Sequence, residues 1–239
     1  GTLRTSSVLI AAGAWSRLFC RAHDLRLPQL KVRSSVLRTG SFSNGPTTSI
    51  STPEYSIRYR TDGGYTVADG ARSKIYFDLT PDAFRLLPQF RKLAWMVRAH
   101  ISMRLGDRFS IEWQENRQNL LNVLARNRVL DPKPLTAPLN KAHRALIRDF
   151  PGLTNIPIQE QWAGMIDVTP DAVPVISGVD RCPGLFIATG FSGHGFGIGP
   201  GAGELASDLI TNQQPLVDPS PFRFSRFSDG SEIDPIVGI

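Results

Sequence analysis

Seven glycines between residues 190 and 203 constrain this chain more than any other feature. They belong to the stretch Gly184-Leu-Phe-Ile-Ala-Thr-Gly-Phe-Ser-Gly-His-Gly-Phe-Gly-Ile-Gly-Pro-Gly-Ala-Gly-Glu-Leu-Ala-Ser-Asp-Leu-Ile210. The pattern predicts a short buried strand over Leu185 to Ala188, a glycine loop, and a helix from about Gly201 to Thr211. Glycine loses more chain entropy on folding than any other residue, so a run of it implies positive φ or close backbone approach to something. The free amides of a helix N-terminus carry about half a positive charge. A strand, a glycine loop and a helix start together make a site for an electron-rich ligand.

Two local motifs fit parts of this stretch. Gly197-Ile-Gly199-Pro-Gly-Ala202 matches the G-x-G-x-x-A dinucleotide turn, which must open a βαβ unit. Here prolines 215, 219 and 221 follow the helix, and no second parallel strand is available. Gly190-Phe-Ser192-Gly-His194 suggests a nucleophile elbow, but His194 stands where that turn needs glycine, and no histidine follows it.

A third reading takes in most of the chain. Trp162-Ala-Gly164, Thr169-Pro-Asp171 and Pro174-Val-Ile176 precede the strand and Gly190-Phe-Ser-Gly-His-Gly-Phe-Gly197. Near the other end stands Val8-Leu-Ile-Ala-Ala-Gly-Ala-Trp-Ser16, a strand followed by a glycine turn. In this order the motifs resemble the C-terminal portion of the glycine oxidase, sarcosine oxidase, D-amino-acid oxidase and dehydrogenase family of FAD enzymes. The resemblance implies an α+β or α/β fold. One part is a Rossmann-like FAD-binding domain, completed by another polypeptide; the other is an antiparallel-sheet substrate domain with helices. Residues 1–31 and 158–215 are the expected flavin-domain pieces, 32–157 the substrate domain and 216–239 a tail. The family's pyrophosphate-binding G-x-G-x-x-G segment has no counterpart before Val8, so a second polypeptide is expected to carry it, either a separate subunit or the other product of a cleaved precursor. The apolar Val8–Ala11 strand is of the kind buried on both faces of a parallel sheet and would be an exposed edge without that partner.

Within the middle segment, Asp62-Gly63 marks a hairpin between Ser49–Arg60 and Tyr65–Ala68. Thr80-Pro81 opens a helix predicted to run to Leu105 with a break or kink at Pro88. Leu139, Ala142, Leu146 and Phe150 make one face of another helix over Leu135 to Phe150.

The resemblance also assigns roles. FAD is the cofactor, and Ala12, Gly13, Trp15, Gly164, Met165, Gly190, Phe191, Ser192, Gly193, His194, Gly195, Phe196, Gly197 and Ile198 are its expected contacts. The amides of 193–198 would face the flavin's N1 and C2 oxygen, where negative charge gathers on reduction. His194 either bonds the flavin or locks the loop; a neutral oxidised flavin needs no basic side chain, which favours the second. Amino-acid-oxidising relatives follow Trp-Ala-Gly with a Leu-Arg-Pro-like sequence whose arginine binds substrate carboxylate. Here Met165-Ile166-Asp167 stands instead. Arg33, Arg58, Arg72 or Lys74 would have to substitute, unless the carboxylate is read differently or is missing from the substrate.

The implied activity is FAD-dependent oxidation of an amine or amino acid, by hydride transfer from the substrate Cα to flavin N5. The alternative is a non-catalytic or electron-transfer subunit of a flavoprotein complex. Composition excludes other classes. No apolar run reaches the roughly 18 residues of a membrane span, and Cys20 and Cys182 are too few for a disulfide framework, so a cytoplasmic setting is expected. The net charge of +6 comes from scattered arginines without interleaved aromatics, which argues against nucleic-acid binding. His23, His100, His143 and His194 show no ligand pairing, so no metal is expected.

Overall fold

The protein is described at residues 1–70, 74–105, 120–126 and 128–236 by a computed structural model. Strand β1 (Val8–Ile10) leads through a 3-10 turn at Gly13–Trp15 into helix α1 (Ser16–Ala22). Strands β2 (Leu30–Thr39), β3 (Ile50–Ser51), β4 (Tyr55–Tyr59), β5 (Tyr65–Asp69) and β6 (Ile75–Leu79) follow. Helix α2 (Pro81–Met96), strand β7 (Ile101–Leu105), and helices α3 (Leu120–Arg126) and α4 (Thr136–Asp149) come next. The chain then forms β8 (Ile158–Val168), β9 (Val175–Gly178), β10 (Leu185–Thr189) and helix α5 (Gly195–Thr211).

Two sheets organise these elements. The smaller has the order β1-β10-β9, with β1 parallel and β9 antiparallel to β10. Val8 and Leu9 on its β1 edge are 46% and 41% exposed. The larger sheet runs β3-β4-β5-β2-β6-β7, with β8 also paired to β2. Strand β2 is its spine. It bonds β8 from Leu30 to Thr39, and its other edge is shared between β5 at Val36–Arg38 and β6 at Val32–Arg33. All of these pairs are antiparallel except β6 with β7.

Side-chain alternation decides what covers each face. Leu37, Ile57 and Val67 point to one side, where Leu139, Ala142 and Leu146 of α4 pack on them. That is the stripe its sequence predicts. On the opposite side Leu30 and Val32 face α2. In the smaller sheet, Ile176 packs with Ala202, Leu205 and Ala206 of α5, while Ile10 and Ile187 pack with Cys20 and Leu27. Both cysteines are free, and burial pushes the Cys20 thiol up to about 12. No helix among the described residues is long and apolar enough to cross a membrane.

Two predicted elements need correction. The helix opened by Thr80-Pro81 does not run to Leu105 but stops at Met96, where the Val97 amide bonds the Leu93 carbonyl, and Ile101–Leu105 is a strand. Ile101 and Met103 alternate onto the face that meets α2, a period of two that a helical reading obscures. Of the break or kink expected at Pro88, the break does not occur: α2 runs through it. Pro88 and Phe84, whose carbonyl it leaves unbonded, are both exposed, so water can satisfy that oxygen.

The tail is docked rather than loose. Arg226, 4% exposed, forks onto Asp171 at 2.7 and 3.2 Å and also donates to the Val173 carbonyl. Lys92 of α2 reaches Glu232 and Asp234, and the Ile236 amide bonds the Asp171 carbonyl. Removing one member of a buried ion pair strands the other charge. Arg226→Ala should therefore destabilise the protein by about 3–5 kcal/mol in denaturant unfolding. Joint replacement by Asp171→Asn and Arg226→Leu should recover part of that loss; an equal or larger loss in the double variant contradicts this account of the pair.

Candidate active site

Strands β8 and β10 end side by side, and a polar node fastens their ends together. Oδ2 of Asp167 accepts hydrogen bonds from Gln29 Nε2 (3.0 Å), Thr189 Oγ1 (3.0 Å) and the Gly190 amide (2.6 Å). The Asp167 carbonyl accepts from the Ser192 amide at 3.0 Å. Gln29 is buried, donates also to the Gly13 carbonyl, and accepts the Arg17 amide on its oxygen. One carboxylate thus joins β8, the start of the glycine loop and the turn after β1. Sequence reasoning missed this node. Its signal was Asp167 itself, an acid where the resemblance leads one to expect a different sequence.

Beyond the node the backbone is contorted. Gly190, Ser192 and Gly193 have φ of 76°, 52° and 89°. A Cβ on Gly190 would lie 2.5 Å from Thr169 Cγ2, so glycine is required there twice over. Ala172 (φ 60°) and Ser192 are non-glycine residues in the left-handed region, and both line the same cavity. Each such residue costs about 1–3 kcal/mol, a strain typical of functional sites.

Helix α5 begins at Gly195, about six residues earlier than predicted. Most of the glycines read as loop are therefore helical, and positive φ does not account for them. Tertiary packing of Ala202, Leu205 and Ala206 overrides the poor propensity of the run. What the glycines provide is bareness: a Cβ on Gly197, Gly199, Gly201 or Gly203 would meet nothing within 4 Å. Among the described residues the amides of Gly195 and Phe196 bond no backbone carbonyl, whereas those of Gly197 and Ile198 bond the His194 carbonyl at 3.1 and 3.2 Å, and His194 at the N-cap makes no side-chain cap. Beside them the Phe196 ring is fully exposed.

Next to this helix start lies a cavity of about 350 Å³ between α2 and the larger sheet. Val32, Phe77, Ile101 and Ile166 contribute from the strands, Phe90 and Ala94 from α2. Ser192 is its single polar side chain, and no charged residue lines it among the described residues. Ile166 sits at the loop end, with Cδ1 3.8 Å from where a Gly193 Cβ would be.

Of the expected flavin contacts, the structure gathers Gly13 with Gly190 through Gln29 and Thr189, and the end of β8 with Ser192 and Gly193. Trp15 lies on the same side of β2 as Lys31, whose Nζ is 5.4 Å from the indole centre. Gly164 is open, with nothing within 4 Å of its Cβ position. Met165 opposes Arg33 across the β8–β2 ladder. The three described candidate cations are not gathered. Arg33 faces away from the cavity wall formed by Val32 and pairs with Asp78. Arg58 is exposed on β4, two strands from β2. Lys74 is exposed just before β6. Arg72 lies outside the described residues.

Residues 1–209 match the DAO family, FAD dependent oxidoreductase. The chain belongs to this family. A D-amino acid dehydrogenase from Paramagnetospirillum magneticum is 24% identical over 230 residues, covering 95% of this chain and 42% of that protein. Among solved structures, an L-amino acid deaminase from Proteus vulgaris superposes with a TM-score of 0.86 at 27% identity, covering 95% of this chain and 53% of that one. The L-amino acid deaminase from Proteus myxofaciens, solved in complex with anthranilate, gives 0.84 at 29% identity over 96% of this chain and 51% of that one. The chain spans about half the length of the relatives it matches.

The residues present fit the family's cofactor. A bare glycine face, with the Gly195 and Phe196 amides at the start of α5, suits the electron-rich edge of a flat ring system, and a side chain at 197 would occupy that open face. Gly190 and Gly197 therefore serve different ends, and alanine separates them. Gly190→Ala should cost about 2–4 kcal/mol through left-handed strain and the Thr169 clash. Gly197→Ala should stabilise the flavin-free chain by about 0.5–1 kcal/mol, since it fills open space on a helix, while weakening flavin retention. Unfolding curves and flavin occupancy read both; a Gly197→Ala protein that holds flavin normally would remove this face from the site.

Proposed function

We propose that this chain forms the isoalloxazine and substrate side of an FAD-dependent oxidoreductase that oxidises an amine or amino acid at its C–N bond. The observation that carries the reading is that the strained Ser192, three residues before the bare start of α5, lines the α2–sheet cavity. A reacting centre and a substrate volume thus adjoin. Bound FAD supplies the redox chemistry, accepting a hydride from the substrate Cα.

The chain's own residues bind, orient and exclude water. Amides at the start of α5, backed by the helix dipole, oppose negative charge on the flavin's pyrimidine edge. Asp167, Gln29 and Thr189 fix the loop that presents them, so little reorganisation accompanies charge development. The apolar cavity wall would offer water no hydrogen-bond partner beside the reacting carbon. His194, which makes no cap bond, serves as a loop residue that can also meet the flavin.

The ADP end of the cofactor would be held by residues outside this chain, in line with the length of its relatives. The exposed apolar edge of β1 supports a covering segment, and in this proposal that segment bears G-x-G-x-x-G on a second polypeptide. The natural material should be yellow and contain that partner. Anaerobic addition of amines, D- and L-amino acids should bleach the flavin bands for at least one class. Flavin bands that no amine or amino acid reduces would contradict the oxidoreductase reading; a monodisperse, FAD-loaded single chain would contradict the two-polypeptide form.

A further inference from the structure

We propose that the cavity between α2 and the larger sheet holds the apolar substituent of the amine, so that the preferred substrates carry a large alkyl or aryl group. This rests on the reading that the site oxidises amines. The recess is partly open, since Leu87 and Met103 of its lining are exposed, and its apolar walls around about 350 Å³ favour hydrocarbon that leaves water there. A cavity of roughly 150 Å³ with aliphatic and aromatic walls stays dry and accepts benzene. This one has room for a phenyl or indole group.

The shape assigns direction. Ser192, Ile166 and Ala172 stand at the glycine-loop end, and from there Val32 and Phe77 of the sheet face Phe90 and Ala94 of α2. An amine placed with its reacting carbon at the loop must send its substituent between those walls. A carboxylate sent the same way would lose its hydration with no described cation to meet it, because Ile166 holds the loop-end wall and Arg33 is turned away onto Asp78. The cavity therefore selects for hydrocarbon.

Substrate length tests this without any mutation. In the flavin-loaded natural protein, kcat/KM for anaerobic reduction by n-alkylamines from ethylamine to heptylamine should rise about fourfold per methylene until the cavity is full, which is ~0.8 kcal/mol per step at 1.36 kcal/mol per tenfold. A flat or falling series overturns the proposal. Ala94→Phe should cut heptylamine turnover at least tenfold more than ethylamine turnover, and Ile166→Arg should move preference from 2-phenylethylamine toward glycine; equal effects on both members of either pair count against it. Calorimetric titration with toluene reads the cavity independently of redox chemistry. Binding with a negative heat-capacity change, lost in Ala94→Phe, supports the assignment, and no binding to the parent protein opposes it. If toluene binds but no amine reduces the flavin, the oxidation reading fails and the apolar specificity stands. If amines reduce the flavin without regard to length and toluene does not bind, the reverse holds.

Discussion

The Asp167 carboxylate ties together segments that are far apart in sequence: the turn after β1, the spine strand β2 with the residues before it, β8, and the end of β10. Its three donors, Gln29 Nε2, Thr189 Oγ1 and the Gly190 amide, come from the residue before β2, the last residue of β10 and the residue after it. Hydrogen bonds to a charged acceptor contribute about 1.5–3 kcal/mol each, and partly buried donors left without it would be unsatisfied. The node therefore does more than stabilise. It sets where the chain leaves β10, and so the placing of the strained residues 190–193 and the axis of α5 that follows them.

That geometry puts two kinds of surface next to each other. On one side the start of α5 offers amides and bare glycine, polar and open. On the other an almost wholly hydrocarbon cavity runs between α2 and the sheet. In the proposed arrangement a planar cofactor against the first and a substrate reaching into the second would share a boundary at Ser192 and Ile166. The docked tail contributes from behind, because Arg226 holds the Asp171 turn whose neighbour Ala172 forms part of that boundary.

Much of this was legible in the sequence where local rules govern. The buried strand Leu185 to Ala188, the Asp62-Gly63 hairpin and the Leu139–Leu146 stripe all formed close to expectation, because each depends on period and turn chemistry within one short segment. The early start of α5 was hidden because glycine propensity opposes helix, and only packing on Ile176 overcomes it. Strand β7 was hidden because Ile101 also falls one helical turn after Val97. The Asp167 node and the Arg226–Asp171 pair were beyond local reasoning, since their partners meet only once the chain has folded. The glycine cluster has two physical reasons, positive φ at Gly190 and Gly193 and a bare helix face from Gly197 to Gly203.

Amide hydrogen exchange in Asp167→Ala tests the central claim most directly, read together with flavin affinity. The account predicts that protection at Gly190 and Ser192 collapses and flavin binding weakens at least tenfold, while Ile187 within the β1–β10–β9 sheet keeps its protection. Asp167→Asn, which retains one acceptor oxygen, should fall between the two. Unchanged exchange at 190–192 with full flavin binding in Asp167→Ala would contradict it, and would mean that the loop holds its shape without the carboxylate.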